Sequence, residues 1–168
     1  FNGPTTLGSL RDIHLIRNGS KVGFIDFYDF LLTGKKPKDQ KLQLDDIIFI
    51  PDRLKTITII GEVKKPGIYE LKENETLAHL LEIAGSLKKT AYLDRAQIAR
   101  IVPFDERSSD MTDRIYFDFS LNLKNLDSID LEDGDKIEIF SILSEAQNIV
   151  KIEGSIARPG VYELKDSL

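Results

Sequence analysis

The sequence predicts an α+β fold built as a tandem repeat, each unit a small mixed sheet crossed by one helix. Three observations carry this reading. A fourteen-residue phrase, IIGEVKKPGIYELK at Ile59 to Lys72, returns as IEGSIARPGVYELK at Ile152 to Lys165, 152 − 59 = 93 residues later. Between the copies, NETLAHLLEIAG places Leu77, Leu80, Leu81 and Ala84 at i, i+3, i+4 and i+7, the spacing of one helix face. The remaining apolar segments are short, β-rich and punctuated by Asn-Gly, Pro-Gly and Asp-Gly turns.

The repeated phrase reads as a hairpin. Ile57, Ile59, Gly61 and Val63 share one face of a two-residue alternation, and Ile68 and Leu71 resume an extended pattern after the turn. Pro66-Gly67 suits that turn because proline presets φ and glycine accepts φ > 0, and Arg158-Pro159-Gly160 repeats it. The copies also share Gly61/Gly154, Tyr69/Tyr162, Glu70/Glu163, Leu71/Leu164 and Lys72/Lys165.

In DIHLIRNGSKVGFIDF, Asn18-Gly19 predicts a type I′ hairpin pairing Asp12 to Arg17 with Lys21 to Phe27. YDFLLTGKK predicts a short helical turn stopped at Gly34, and LQLDDIIFIP a final strand ended by Pro51. The helix of the second unit takes Asn74 or Thr76 as N-cap and Gly85 at C′. RAQIARIV, RIYFDFSL and LEDGDKIEIF then repeat the strand order of the first unit. Ile16-Arg17 matches Ala99-Arg100, an offset of 100 − 17 = 83, and Asp26 matches Asp118, an offset of 118 − 26 = 92. The nine extra residues are expected in the loop Pro103 to Asp113. In the closing strands Asp46 falls opposite Asp135, Ile48 opposite Ile137 and Ile50 opposite Ile139.

This register divides the chain into residues 1–55, the second half of a first unit; 56–145, a complete second unit; and 146–168, the opening hairpin of a third. Hairpin, helix and three further strands make an order that is β-grasp-like. The opening FNGPTT, without methionine, is expected to mark a mature or excised piece. Unpaired strand edges recruit partners, so Ile149 to Leu164 is expected to pair with an exposed sheet, in its own chain or in a neighbouring copy.

Gly61, Pro66-Gly67, Tyr69-Glu70-Leu71, Thr76-Leu77, Ala84-Gly85 and Gly134-Asp135-Lys136-Ile137 together resemble the soluble-ligand-binding β-grasp (SLBB) domain. LGSLRDIHLIRNG, IDFYDFLLTG and LQLDDIIFIP are similar to segments of outer-membrane polysaccharide export proteins, with Asp45-Asp46 standing where that pattern has Gly-Asp. The resemblance implies a periplasmic, structural part of a capsule or exopolysaccharide translocon: a homo-oligomeric ring around a channel, in contact with polysaccharide and with an inner-membrane export or copolymerase partner. It implies no catalysis and no cofactor.

The composition agrees with a binding role. The chain has no cysteine, which excludes disulfides, thiolate metal sites and a cysteine nucleophile. Its formal charge of −5, with both signs interspersed, argues against a nucleic-acid surface. Its two histidines, His14 and His79, occupy non-equivalent positions and read as ordinary strand and helix residues. Asp45-Asp46 and Glu132-Asp133-Gly134-Asp135 lack the alternating ligands of a calcium loop and read as strand-entry turns. Ser108-Ser109 and Asp105-Glu106 have no histidine partner to make a hydrolytic site. Phe24, Phe27, Tyr28, Phe30, Phe117 and Phe119 are expected to pack in cores rather than to form sugar-stacking platforms.

The candidate contacts for ligand or subunit are therefore the cationic hairpin tips, Lys64, Lys65, Pro66 and Gly67 in one copy and Arg158, Pro159 and Gly160 in the other. Two further functions fit the same fold: a carbohydrate or small-ligand binding module, and an accessory domain of a larger enzyme.

Overall fold

The computed structural model describes residues 3–35, 40–107, 113–121, 126–143 and 148–164, which form three sheets and two α-helices in an α+β arrangement. In chain order the elements are β1 (Ile13–Arg17), β2 (Ser20–Ile25), α1 (Phe27–Thr33), β3 (Ile47–Phe49), β4 (Lys55–Gly61), β5 (Gly67–Leu71), α2 (Leu77–Ile83), β6 (Ala91–Ile101), β7 (Arg114–Phe119), β8 (Lys136–Ser141), β9 (Ile149–Ile152) and β10 (Gly160–Glu163).

The first sheet has the order β2-β1-β3 and is antiparallel throughout. Asn18 and Gly19 both take positive φ, 49° and 74°, as the predicted turn requires. The strand ends earlier than expected, at Ile25, because Asp26 serves as a helix cap. Its carboxylate accepts the Tyr28 N–H at 2.9 Å and so starts α1. Gly34, at φ 69°, ends α1 in the left-handed conformation that glycine enters without steric penalty.

The second sheet, β5-β4-β8-β6-β7, has the parallel pair β4–β8 near its centre and antiparallel neighbours on either side. Helix α2 lies on one face, where Leu77, Leu80, Leu81 and Ile83 join Ile57, Ile59, Leu71, Ile98, Ile137 and Ile139 in the core. Full burial of each such aliphatic chain contributes about 1.5–3 kcal/mol. Thr76 is the N-cap, and its backbone N–H donates to Nδ1 of His79 at 3.3 Å. The helix closes in a Schellman motif, with Ser86 N–H bonded to Leu81 O at 2.7 Å and Gly85 N–H to Glu82 O at 3.0 Å.

Several pairings of the first sheet have counterparts in the second. Leu15 pairs with Ile48 as Ile98 pairs with Ile137, and the bridge Gly8–Asp52 recurs as the pair Ala91–Ser141. Arg17 holds Asp46 through Nε and Nη2, both at 2.7 Å, and Arg100 holds Asp135 through the same atoms at 3.0 and 2.8 Å. Each aspartate also accepts the backbone N–H three residues before it, from Gln43 at 2.8 Å and from Glu132 at 2.9 Å. Each arginine reaches one more carbonyl, of Lys41 at 3.2 Å and of Asp130 at 2.9 Å. Asp45, at φ 67°, stands where Gly134 adopts φ 84°, so an aspartate occupies a turn position that glycine fills in the other copy.

Two expectations of register and packing are corrected. His14 faces Phe24 as Gln97 faces Asp118, and Phe27 N–H bonds Leu10 O as Leu121 N–H bonds Leu93 O. Asp26 therefore corresponds to Ser120, two residues beyond Asp118, because the second hairpin's insertion is longer than the charge match implied. Phe24, Phe27, Phe30 and Phe117 are exposed rather than buried in a core, while Tyr28 and Phe119 are partly buried against it. Phe24 lies beside His14 and Lys72, and Phe117 lies under the Arg100 guanidinium at 5.6 Å, so these rings cover charged side chains. The helices also differ in position: α1 follows β2, where the described residues after β7 hold a 3₁₀ turn at Leu126–Ser128, and α2 separates β5 from β6.

The third sheet is the hairpin β9–β10, with Gly160 opposite Ile152 and Glu163 opposite Ile149. Among the described residues it pairs with no other sheet, so the expected pairing within its own chain is absent.

Candidate functional site

The hairpin tips are held from behind. Lys64 N–H bonds Ser86 O at 3.0 Å and Lys65 N–H bonds Ala84 O at 2.9 Å, which ties the first tip to the end of α2. The Tyr69 hydroxyl donates to Lys65 O at 2.7 Å, closing the turn four residues back. In the second copy the Tyr162 hydroxyl donates to Arg158 O, also at 2.7 Å. The repeated tyrosine is thus a turn clamp. Lys64, Lys65, Pro66, Arg158 and Pro159 are exposed, Gly67 and Gly160 are half-buried at the strand starts, and the two tips stand on separate sheets. A Cβ on Gly85 would meet Lys64 Cβ at 3.4 Å, so the helix end packs closely behind the basic turn.

The joint between the first two sheets is a buried polar cluster that sequence reading did not single out. Glu70, on β5, accepts Ser9 Oγ at 2.5 Å, Leu10 N–H at 3.0 Å and Leu54 N–H at 3.1 Å. Tyr28 of α1 accepts the Glu70 N–H through its hydroxyl at 3.0 Å. Arg11 lies with its guanidinium 4.6 Å from the Tyr28 ring, and it pairs with Asp26, with Glu75 and with Glu70 O. Lys72 Nζ adds a second cation to Asp26 at 2.6 Å.

Burial opposes the charge on Arg11, but hydrogen bonds and charge from Glu75 and Asp26 outweigh it and raise its pKa. Burial likewise opposes the Asp26 carboxylate, and Lys72 and Arg11 outweigh it, so its pKa is lowered. Burial raises the Tyr28 hydroxyl above its usual range. One signal for this joint was present in the sequence: Glu70 and Lys72 recur as Glu163 and Lys165. Their partners Ser9, Arg11 and Asp26 lie far off in the chain, and only folding brings them together. Lys165 lies outside the described residues.

The face of the second sheet turned away from α2 carries a groove of about 230 Å³ lined by Gln97, Ala99, Arg114, Tyr116, Lys136 and Glu138. Tyr116 is largely exposed on this face, which brings an aromatic ring beside amide, carboxylate and cationic groups.

The histidines are placed as expected. His14 pairs with Asp12 at 3.0 Å and stacks on Phe49, and His79 caps α2. Among the described residues no cluster of three His, Asp or Glu could hold a metal ion. Asp105 and Glu106 lie in a 3₁₀ turn, and Ser108-Ser109 falls outside the described residues. No helix of the described residues is long and apolar enough to cross a membrane.

The described residues thus present hairpins with exposed basic tips, a buried polar joint between two sheets and a grooved sheet face. Residues 56–112 match the family model of the SLBB domain, a family of binding and structural domains. The matched segment begins in β4 and runs through β5, α2 and β6, and it includes the first basic tip. No curated protein matches the chain.

Proposed function

We propose that the chain is a periplasmic structural and interaction module of a polysaccharide export translocon, part of an outer-membrane-associated protein that assembles as a homo-oligomeric ring. In this reading residues 1–55, 56–145 and 146–168 belong to three successive β-grasp units stacked along the channel wall. Polysaccharide passes inside, and an inner-membrane export or copolymerase protein docks at one end.

The observation that carries the reading is the repeated Arg–Asp clasp, Arg17–Asp46 ahead of the SLBB match and Arg100–Asp135, whose arginine lies within it. It supports a tandem of like modules, and the buried contacts of Ser9, Arg11 and Glu70 link the first two, as a channel wall needs. The basic tips Lys64-Lys65-Pro66-Gly67 and Arg158-Pro159-Gly160 then present cations to an acidic neighbour or an anionic glycan. The test is complementation of capsule or exopolysaccharide export by the parent protein carrying Lys64, Lys65 and Arg158 replaced by serine. Reduced export with a normally folded product supports the assignment of the tips, and full export removes it.

The groove at Gln97, Tyr116, Lys136 and Glu138 favours a second reading, a carbohydrate or small-ligand binding module. Titration of the chain with soluble acidic oligosaccharides, followed by amide shifts of β6 and β8, separates the two.

A further inference from the structure

Strand register gives the groove on the second sheet a floor, two walls and a polarity. In β6, Ile98 joins the core beneath α2, so Gln97 and Ala99 lie on the opposite face. Ala99 sits between Lys136 on β8 and Tyr116 on β7, and Gln97 sits between Glu138 and Asp118. A methyl group flanked by two long side chains leaves a trough along β6, with walls two strand spacings, or about 10 Å, apart. The trough holds about 230 Å³, less than the roughly 300–1,000 Å³ of sites that enclose drug-sized ligands. It suits one ring of a ligand.

The two ends of the trough differ in charge. Lys136, opposite Ala99, and Arg114, opposite Ile101, put cations at one end, and Glu138 stands with Gln97 at the other. Neighbouring charges are already committed within the fold. Arg95 holds Asp118 at 3.0 Å, the Gln97 amide donates to the same carboxylate at 2.8 Å, and Arg100 holds Asp135 and Glu132. Among the described residues Lys136 and Glu138 enter no ion pair, so their charges remain for a ligand.

These groups specify the ligand by its chemistry. The Lys136 ammonium calls for an anion, and a charge-assisted hydrogen bond makes that contact the strongest in the groove. Glu138 accepts hydrogen bonds only, and the Gln97 carbonyl oxygen is a second acceptor, so this end calls for hydroxyl donors. Tyr116, 61% exposed, offers a ring face to the C–H groups of a saturated ring. We propose that the groove binds a single acidic pyranose ring, its carboxylate at Lys136, its hydroxyls at Glu138 and Gln97, and one face on Tyr116. This rests on the binding-module reading of the groove and does not depend on the export reading.

The test titrates the chain with a trimer of galacturonic acid and with its methyl ester, which keeps the shape and removes the charge. Amide signals of Gln97, Ala99, Tyr116 and Lys136 report binding. The acid is expected to shift them, and the ester to bind about tenfold or more weakly, because the charge-assisted bond is lost. Lys136→Gln should bring the acid down to the ester's affinity and leave the ester unchanged. Ala99→Leu fills the trough without altering charge, so it should abolish the shifts from both, with circular dichroism confirming the fold. Equal binding of acid and ester overturns the acidic assignment while the binding-module reading stands. Shifts that survive Ala99→Leu, or that fall on the basic tips instead, overturn the groove as the site. No shift with either saccharide overturns the proposal together with the binding-module reading.

Discussion

Arg100 grips the fully buried carboxylate of Asp135 with two guanidinium nitrogens, Nε at 3.0 Å and Nη2 at 2.8 Å. The pair ties β6 to the turn that launches β8, next to the parallel strand β4. Removing one partner of a buried pair strands the other, so Arg100→Ala is expected to destabilise the second sheet by about 3–5 kcal/mol in urea unfolding. Arg100→Lys recovers only part of this, because an ammonium cannot make the two-pronged contact. The equivalent Arg17→Ala acts in the same direction and less strongly, since Arg17 is more exposed than Arg100.

The joint between the first two sheets is expected to fail at Arg11. Arg11→Met leaves Asp26 with Lys72 but removes the cation facing Glu75. Hydrogen exchange read amide by amide should show β1 and β2 losing protection while β4, β8 and α2 keep theirs. Equal loss in both sheets would mean that they unfold as one unit.

The first sheet is expected to weaken in acid. Asp46 is held at about 2, first by its hydrogen bond from Arg17 and then by the Gln43 N–H, and Asp26 is lowered as well. A carboxylate whose folded pKa is depressed stabilises the fold above its unfolded value of about 3.9, and that contribution is lost as pH falls through the folded value. The urea midpoint should therefore drop between about pH 4 and pH 2, and Asp46→Asn should flatten that part of the profile.

Asp45 offers a gain. It holds φ 67° on an exposed turn, where the other copy uses Gly134. A non-glycine residue in the left-handed region costs up to about 1–2 kcal/mol, with aspartate at the low end. Asp45→Gly should raise the stability of the first sheet by a fraction of this, measured as a higher urea midpoint, whereas Gly134→Asp should lower that of the second.

Leu80 is fully buried on α2, and an unpaired charge there costs several kcal/mol against a total of about 5–15. Leu80→Asp should abolish the cooperative unfolding transition of the second sheet. Ala78, at the margin of the core, should accept Ser with little change.

The basic tips should be neutral to folding. Replacing Lys64, Lys65 and Arg158 with serine removes exposed charges, each worth about 0–1 kcal/mol in an ion pair. Thermal unfolding should be unchanged, and any deficit in association with an acidic partner should be largest at low salt and shrink as salt screens the wild type.

By itself, the sequence determined the elements whose physics is local. Asn18-Gly19 can turn with two positive φ angles, Gly34 and Gly85 can end helices, and the Leu77, Leu80, Leu81 spacing can cover only one face. Repetition extended this, because equal phrases fold alike: Tyr69 and Tyr162 clamp their turns with the same bond. The tertiary structure decided what depends on residues distant in the chain. It assembled Ser9, Arg11, Asp26, Tyr28 and Glu70 into one buried joint from segments up to 61 residues apart. It also shifted the match of Asp26 from Asp118 to Ser120, because strand register follows the hydrogen-bond ladder rather than like charges. Phe24 and Phe117 alternate as core residues do, but alternation specifies only that a strand has two faces. Which face becomes buried depends on what is packed against it, and here α2 covers one face of the second sheet.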